Sequence, residues 1–324
     1  MFKHEKKSVK NEIERLSPWY STIELYPGVF TSGHMLRNIA LTRELIRRCE
    51  VKGLRCLDIG AMEAVATILL KRRGAADVIA VDGDNRAHKM PLLKSAYEVD
   101  FQYFGNIALH NTLDFLLNKS RLEAVGGRPY RFGFDLIVLS GVLYHVYSPV
   151  HVLATARSCL RKGGLMIIET AAVNDPGFTM QYNFTGDKYI YDWTDTWFIS
   201  APLLDYFCRF FRMEPLDCVY LPQENRGFRN LIRLGVVCRA VDSEPAADNE
   251  SIMGKSTWNY DHNSIVRYDL TEGNEKEPVP YHRNTKELVL RDDIKTCDIY
   301  KTINSGSPFP VTEDRLILKL HDKC

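Results

Sequence analysis

Long apolar runs and paired cysteines are both missing from this 324-residue sequence. It contains no stretch of about 18 apolar residues, so we expect no transmembrane helix. The charged N-terminus, MFKHEKKSVKNEIERL, has no apolar core of the kind that a secretory signal needs. The eight cysteines form no CxxC pair, which argues against a zinc site and favours a reducing cytoplasm. We therefore expect a soluble, cytoplasmic protein without a metal centre.

An excess of charge of one sign is missing as well. Lysine and arginine total 42, aspartate and glutamate total 41, and the formal net charge is +1. Proteins that bind an RNA backbone usually carry a clear basic excess. The composition therefore favours a small-molecule partner over a nucleic acid, although a local basic patch is compatible with this total.

Strand-like and helical patterns alternate through the middle of the chain. The strand-like runs are nearly continuous in Leu, Ile and Val, and they occupy 54–59, 77–82, 99–104, 134–140 and 164–170. Helical patterns lie between them at 64–73, 86–97, 107–118 and 149–161. This alternation predicts βαβ units, with parallel strands buried on both faces.

Further elements flank this alternation. Helical patterns precede it at 4–16 and 35–50, and a helix at 201–211 follows it, with two strands at 214–221 and 230–239 that could form an antiparallel edge hairpin. The prediction is an α/β fold with a doubly wound, mostly parallel, seven-stranded sheet.

The remaining chain is predicted to be an extension. A polar, acidic stretch at 241–264 is typical of a linker, and short strand-like pieces follow it: SIVRYDL, KELVLR, CDIYKTI and RLILKL. We divide the chain into N-terminal helices and a flap (1–50), a nucleotide-binding domain (51–240), and a linker with a β-containing extension (241–324). We expect the extension to lie on the substrate side of the cleft.

The stretch LDIGAMEAVA, residues 57–66, contains the end of the first predicted strand and the turn after it, and it holds a single glycine. Gly60 allows the backbone to approach a ligand. Met62, however, stands where the dinucleotide fingerprint GxGxxG has the glycine that makes room for a pyrophosphate. Asp58, just before the turn, would repel a pyrophosphate and suits a cationic or amine-bearing ligand. The turn therefore predicts a nucleoside ligand rather than a dinucleotide.

Polar residues also follow the other predicted strands, where a parallel α/β sheet binds its ligand. Asp82 ends the second strand, about 20 residues past the turn, and suits both hydroxyls of a ribose. This set of residues fits S-adenosylmethionine, whose amino and sulfonium groups are cationic. The candidate cofactor residues in these turns are Asp58, Gly60, Ala61, Asp82, Gly83, Asn106, Ile107, Ser140 and Tyr144.

Several longer stretches resemble the class I methyltransferases, and most of all the branch of the tRNA wobble-uridine methyl- and carboxymethyltransferases. The stretches are WYSTIELYPGVFTSG, LDIGAMEAVATILLKRRGAADVIAVD, FDLIVLSGVLYHVYSPV, GGLMIIETAAV, GDKY and DTWFIS. The resemblance implies a Rossmann-like fold, S-adenosylmethionine as cofactor, and a flap over the methionine end of the cofactor. That flap would contain Trp19, Tyr20, Thr31 and Gly33, for which packing in the core or in a loop is the alternative interpretation.

The sequence departs from that family at particular positions. Family turns usually have glycine where this chain has Ala64, which is small enough to let the helix approach. The carboxymethyl-transferring branch binds the extra carboxylate of its cofactor with a lysine in a Trp-Arg-Lys-Gly stretch and with a tyrosine at the position of Trp197. Neither is present, so ordinary S-adenosylmethionine is the expected cofactor.

Three residues are candidates for catalysis. His145 follows the fourth strand and is either a general base or a packed side chain. Glu169, which ends the fifth strand, is either a substrate ligand or a structural acid. Tyr189 belongs to an aromatic cluster whose mixture with polar residues suits the wall of a substrate pocket; the cluster comprises Tyr182, Tyr189, Tyr191, Trp193 and Trp197.

Our prediction is a methyltransferase that acts on a small-molecule acceptor in specialised metabolism. Three alternatives stay open: a tRNA wobble-uridine methyltransferase, an enzyme that transfers or cyclises the aminocarboxypropyl arm of the cofactor, and an inactive cofactor-binding partner subunit. The basic run Lys71-Arg72-Arg73 is predicted to be a solvated helix face. A basic groove that leads to the cleft would favour the tRNA alternative.

Overall fold

The computed structural model describes residues 6–117, 133–182, 197–223, 230–240 and 297–322. Nine α-helices occur in these ranges: α1 (Lys6–Arg15), α2 (Arg37–Arg48), α3 (Val65–Arg72), α4 (Met90–Tyr97), α5 (Thr112–Leu117), α6 (Pro149–Cys159), α7 (Ala201–Phe210), α8 (Ile299–Ser305) and α9 (Glu313–Leu316). The strands are β1 (Glu24–Tyr26), β2 (Val29–Phe30), β3 (Arg55–Ile59), β4 (Asp77–Val81), β5 (Gln102–Phe104), β6 (Phe134–Ser140), β7 (Leu160–Val173), β8 (Met180–Tyr182), β9 (Trp197–Ser200), β10 (Met213–Pro222) and β11 (Leu231–Ala240).

The central sheet confirms the predicted doubly wound architecture. Its main path runs in the order β10-β11-β7-β6-β3-β4-β5, and β8 and β9 join it beside the end of β7. Strands β3 to β7 run parallel to one another, whereas β11 is antiparallel to β7 and β10 is antiparallel to β11. The chain moves outward from β3 in one direction to β5 and then restarts on the other side with β6. Strand order thus reverses between β3 and β6, and a ligand crevice is expected at their carboxyl ends.

Helices cover both faces of this sheet and enclose two apolar cores. One core contains buried residues of α1, α2, α3 and α4, and the other contains buried residues of α5, α6, α7 and α8. The strands between them are mostly apolar and buried, as in β6, where six of the seven residues are buried, because both faces of a covered parallel sheet are dry. None of the helices in these described ranges combines the length and apolar character needed to cross a membrane.

Some predicted elements differ in extent or in kind. The predicted helix at 107–118 is shorter, with a 3₁₀ turn at Leu109–Asn111 before α5. The strand-like pieces CDIYKTI and RLILKL were predicted to be strands, and this prediction was wrong. The first forms α8, because Asp298 accepts a hydrogen bond from the Lys301 amide and caps a helix there. The second begins with Arg315 and Leu316 at the end of α9 and continues without a strand, apart from a single bridge between Leu318 and Ile23. SIVRYDL and KELVLR lie outside the described residues.

The C-terminal segment, residues 297–322, packs along the edge of the sheet and onto the N-terminal β1–β2 hairpin. Ile299 and Ile303 are buried in one core and Leu318 is buried in the other. The Phe309 amide donates to the Tyr220 carbonyl of β10 at 2.8 Å, and the Glu24 amide of β1 donates to the Leu318 carbonyl at 2.8 Å. This part of the predicted extension therefore contributes to the core of the domain rather than standing apart from it.

Candidate active site

The turn after β3 has the shape of a ligand-binding turn although it holds one glycine. Gly60 has φ of +80°, and a Cβ built on it would overlap Cγ2 of Val142. The amides of Gly60 and Ala61 donate to the Val81 carbonyl at 2.9 and 3.1 Å, which fixes the turn against the end of β4. A side chain at position 60 would disrupt both the backbone conformation and the close approach of β6 and its following loop.

Two further residues of this turn adopt left-handed backbone conformations without being glycine. Met62 has φ of +44° and Ala64 has φ of +55°. Such conformations cost on the order of 1–2 kcal/mol for residues with a Cβ atom. The turn therefore keeps the conformation expected of a glycine-rich sequence, and contacts elsewhere must offset its strain.

Asp82 lies against the same turn. Its side chain is buried at the end of β4, where Oδ2 accepts from the Met62 amide and Oδ1 accepts from the Asp84 amide, both at 2.7 Å. Burial raises the pKa of this carboxyl, and the two amide hydrogen bonds oppose that rise. The exposed Gly83 follows, with open space where a side chain would stand. The carboxylate thus joins the turns after β3 and β4.

Asp58 binds the helix that follows the turn. It is buried within β3, and its Oδ2 accepts from the Thr67 amide at 3.0 Å and from Thr67 Oγ1 at 2.6 Å. These bonds tie the strand to the first turn of α3. Oδ2 of Asp58 is thus bound to α3, and the role of Asp58 toward a cationic ligand stays a prediction.

The Asp58 carboxyl predicts a specific pH dependence of stability. Burial raises its pKa to about 7, against the hydrogen bonds from Thr67, whereas the carboxyl in an unfolded chain titrates at about 3.9. Between these values the folded protein holds a proton that the unfolded chain has lost, so this group's contribution to stability falls as the pH rises. We expect Asp58→Asn to gain stability relative to the wild type from about pH 4 to about pH 7, with a constant difference above that range.

Urea unfolding of both proteins across this range measures the effect. Asp100→Asn is the control, because the Asp100 side chain is 82% exposed. A difference between Asp58→Asn and wild type that does not change with pH would contradict the raised pKa.

The loop after β5 packs on the loop after β4. Asn106 has φ of +60°, and the Ile107 amide donates to the Asp82 carbonyl at 3.0 Å. A Cβ built on Gly105 would lie 2.6 Å from the Asn85 Cα, so these loops are in direct contact. The exposed Asn106 and the buried Ile107 are therefore held beside Asp82 at the same edge of the sheet.

A buried polar chain starts at the carboxyl end of β6 and includes Glu169, which the structure places within β7 rather than at the end of that strand as predicted, because β7 continues to Val173 beside β11. Glu169 is fully buried, and Arg233 of β11 binds it through two bonds, from Nε to Oε1 at 2.7 Å and from Nη2 to Oε2 at 2.6 Å. Ser140 Oγ donates to Glu169 Oε2 at 3.3 Å and lies 2.7 Å from Thr42 Oγ1. Because Arg233 compensates its charge, this geometry agrees with a structural role for Glu169, and its role as a substrate ligand stays a prediction.

Tyr144 and His145 lie above this chain. The Arg233 guanidinium is 4.8 Å from the centre of the Tyr144 ring, and the centre of the exposed His145 ring is 4.1 Å from the same point. Tyr144 is buried in a small cluster with residues of β7 and β9. This stack fixes the Tyr144 ring and leaves His145 in contact with solvent.

The predicted flap residues divide into packed and accessible ones. Trp19 is buried and its Nε1 donates to the Ile13 carbonyl at 2.9 Å. Thr31 is buried and its Oγ1 donates to the Ser21 carbonyl at 2.6 Å, while a side chain on Gly33 would overlap the Ser21 backbone. These three residues shape the N-terminal segment, and Tyr20, 36% exposed, is the accessible member of the predicted set.

Several charged residues of the site are not singled out by the sequence patterns described above. Arg233 interrupts the apolar run LIRLGVV of a strand buried along its length, and that interruption was an available signal. Glu63 within the turn and Lys89 after β4 form a buried ion pair of 3.0 Å. No pattern in the sequence identifies Lys89 as the partner of Glu63. Tyr189 lies outside the described residues.

The candidate residues thus form two groups on the side of the sheet where the parallel strands end. The first surrounds the turns after β3, β4 and β5, and the second surrounds the end of β6 and the neighbouring part of β7. Because parallel strands place their carboxyl ends on the same side, both groups lie on the side of the sheet where a ligand crevice is expected, at the point where strand order reverses.

A family model described as "Methyltransferase domain" matches residues 32–213, which is more than half of the chain. The chain belongs to the methyltransferase domain family. This methyltransferase domain has the class I, Rossmann-like fold, and its cofactor is S-adenosylmethionine. The glycine turn with its positive φ, the space at Gly83 and the carboxylate of Asp82 are features that fit such a nucleoside ligand.

Individual relatives are similar over part of the methyltransferase. One is a tRNA U34 carboxymethyltransferase of Pseudomonas savastanoi pathovar phaseolicola, 30% identical over 173 residues, which are 52% of this chain and 48% of the relative. Another is a ubiquinone biosynthesis O-methyltransferase of Cereibacter sphaeroides, 30% identical over 181 residues, 54% of this chain and 66% of that protein. The match with the tRNA enzyme thus spans about half of its length.

Among solved structures, the N-terminal domain of EvdMO1 with SAH bound aligns with a TM-score of 0.50 at 18% identity, covering 73% of this chain and 98% of that one. At this level of identity the likeness supports the fold of the methyltransferase and nothing finer.

Proposed function

We propose that the protein transfers a methyl group from S-adenosylmethionine to a small-molecule acceptor bound at an aromatic rim beside β6, β8 and β9. One observation carries this proposal. The rings of Tyr182 and Trp197 meet edge-on with centroids 4.9 Å apart, and Trp197 Nε1 donates to the Tyr147 carbonyl at 3.0 Å. Tyr147 is 87% exposed and Phe178 is 67% exposed. Accessible aromatic faces of this kind are suited to stacking against a planar organic molecule.

The basic run at 71–73 gives no support to a nucleic-acid partner. We predicted a solvated face, but these side chains bind backbone carbonyls: Lys71 Nζ donates to Ala75 and Ala76 at 3.0 and 3.1 Å, and Arg72 donates to Leu320. Arg73 donates to the Cys49 carbonyl at 3.0 Å. The prediction is corrected accordingly, since cations committed to internal hydrogen bonds contribute less to binding a phosphate backbone.

In methyl transfer the protein mainly has to align the acceptor with the methyl group, and it needs little covalent chemistry of its own. The cofactor supplies a methyl group that is already activated by a sulfonium centre. In the proposal, the turns at Gly60 and Asp82 hold the nucleoside, and Tyr144, fixed on the Arg233 guanidinium, helps to exclude water from the acceptor side. His145 is the candidate base where the acceptor must lose a proton, because it is exposed beside Tyr144.

A tRNA uridine is the second candidate acceptor. It is favoured by the name of the relative from Pseudomonas savastanoi and by the same aromatic rim, because a splayed nucleobase also stacks on aromatic side chains. The two candidate acceptors differ in their sensitivity to ribonuclease, which degrades RNA and leaves a small molecule intact.

The experiment supplies methyl-labelled S-adenosylmethionine with two fractions of the same cell extract, one of small metabolites and one of total RNA. We expect label in the metabolite fraction, unaffected by ribonuclease, and mass spectrometry then identifies the methylated product. Label confined to RNA and released by ribonuclease would overturn the small-molecule proposal. Label recovered only in methylthioadenosine, the co-product that keeps the methyl group when the aminocarboxypropyl arm leaves, would instead indicate transfer or cyclisation of that arm.

Asp82 is expected to contribute directly to cofactor affinity. Asp82→Ala removes a carboxylate that suits the ribose hydroxyls and that also holds the Met62 amide, so we expect affinity for S-adenosylhomocysteine to fall by about 1–3 kcal/mol. Calorimetric titration measures this. Asp84→Ala is the matched control, because the Asp84 side chain is 74% exposed. Equal affinity in Asp82→Ala and wild type would show that the nucleoside is bound elsewhere.

A further inference from the structure

A buried ion pair lies inside the turn that follows β3. Glu63 is fully buried and Lys89 is 2% exposed, with Lys89 Nζ at 3.0 Å from Glu63 Oε1. Arg86 Nη1 is a further cation at 3.4 Å from the same oxygen, and Nη2 of that residue is 3.0 Å from Asp84 Oδ2. Buried charges are costly to desolvate, and they persist where several bonds compensate them. Their place in the turn therefore requires an explanation.

The position of Glu63 along the chain is informative. It stands between Met62 and Ala64, the two residues of the turn that have left-handed backbone conformations without being glycine. The Met62 amide is bound by Asp82 at 2.7 Å, and Ala64 begins α3 in the left-handed region. A strained backbone of this kind persists only where the surroundings hold it. Glu63 lies between these two residues, so its side-chain contacts are placed to hold this backbone conformation.

The pair also fixes the turn to the N-terminal segment. Glu63 accepts from the Tyr20 amide at 3.0 Å and from Ser21 Oγ at 3.3 Å. Lys89 Nζ donates to the Pro18 carbonyl at 2.6 Å and lies 4.5 Å from the centre of the Trp19 ring. Consecutive residues 18–21 thus contact both members of the pair, so that neither side chain is able to move without breaking these bonds.

We propose that Glu63 and Lys89 are positioning residues that hold the cofactor turn in its left-handed conformation, in place of the glycines that the turn lacks. The proposal rests on the assignment of the turn at 60–64 to the cofactor. Such preorganisation raises the affinity for the ligand. Without it, the turn becomes ordered only when the ligand binds, and the free-energy cost of that ordering lowers the affinity.

The test removes both charges and then supplies the missing glycines. In Glu63→Gln/Lys89→Met, side-chain volume is kept and no buried charge of the pair is left alone. We expect the affinity for S-adenosylhomocysteine, measured by calorimetry, to fall about tenfold, because the turn loses its preorganisation. Adding Met62→Gly and Ala64→Gly to this variant is expected to return the affinity to within about threefold of wild type, because glycine adopts these conformations without strain.

The glycine rescue separates positioning from a general structural role. A pair that merely stabilises the fold would not respond to the backbone preference of its two neighbours. Removing an exposed pair on α1, Glu12→Gln/Arg15→Met, is the control and should leave affinity unchanged, since its side chains are 43% and 64% exposed.

Each outcome decides the proposal. Wild-type affinity in the double variant, or weak affinity that the glycines do not restore, would overturn it. If circular dichroism shows that the double variant does not fold, adding the two glycines is expected to restore both folding and binding. Failure of the glycines to restore them would also overturn the proposal. Failure of wild type itself to bind S-adenosylhomocysteine would instead refute the cofactor assignment on which the proposal rests.

Discussion

Glu169→Gln is expected to lower the free energy of unfolding by about 3–5 kcal/mol, because it leaves the Arg233 guanidinium buried without its counter-charge. Arg233 is 4% exposed and makes two bonds to Glu169, so water does not replace the lost partner. Urea unfolding followed by circular dichroism measures the loss.

The double variant Glu169→Gln/Arg233→Met provides the decisive comparison. Replacing a buried ion pair by neutral side chains of similar volume is often close to neutral in stability, so the double variant is expected to recover most of what the single variant loses. Glu12→Gln, at an exposed pair, is the control and should change stability by less than about 1 kcal/mol. A single variant as stable as wild type would show that Arg233 finds another partner.

Turnover in the double variant then tests whether the charged pair also serves activity. The Tyr144 ring lies on the Arg233 guanidinium, and the neutral thioether side chain that replaces this guanidinium would support the ring through packing alone. If stability returns while turnover does not, the charged pair is needed for activity beyond its contribution to stability, either through the Tyr144 ring or through the Glu169 carboxylate itself.

A chain that ends after residue 296 is expected to lose cooperative folding. It lacks the buried side chains of Ile299, Ile303 and Leu318, and each buried aliphatic side chain of this size contributes about 1.5–3 kcal/mol. The sum is a large part of the roughly 5–15 kcal/mol that stabilises an ordinary domain. Thermal unfolding by calorimetry is the measurement, with a broad or absent transition as the expected result.

Single substitutions test the same contribution in the full chain. Ile303→Ala should cost about 2–5 kcal/mol, whereas Lys301→Ala on the exposed side of α8 should be nearly neutral, since the Lys301 side chain is 83% exposed. A truncated chain that unfolds like wild type would show that residues 297–322 are dispensable for the core. That result would favour the expectation that the extension lies on the substrate side of the cleft.

The sheet was predictable because burial on both faces gives each parallel strand a continuous apolar run that the sequence displays directly. The run FDLIVLS is β6, and Asp82 was found at the end of β4 by the same rule. The strand predicted at CDIYKTI failed for a local reason: its β-branched residues fit a strand, but the Asp298 cap and packing on β10 favour a helix.

The pairing of distant charges was not predictable from the pattern. Glu169 and Arg233 are 64 residues apart, and Glu63 and Lys89 are 26 residues apart. Each was visible as a charge near apolar residues, but the identity of its partner depends on which strands and loops the folded chain brings together. For the same reason the orientation of Asp58 toward Thr67 could not be inferred from its place before the turn.

The contact between the C-terminal segment and the β1–β2 hairpin also constrains the order of folding during synthesis. The Leu320 amide donates to Glu24 Oε2 at 3.0 Å across a separation of 296 residues. The ribosome synthesises Glu24 long before Leu320. The β1–β2 hairpin therefore lacks this contact while the strands of the central sheet are being translated. Closing so long a loop costs entropy that grows only with the logarithm of its length. Docking of the tail is therefore a late step in folding, after the central strands have fixed the hairpin nearby.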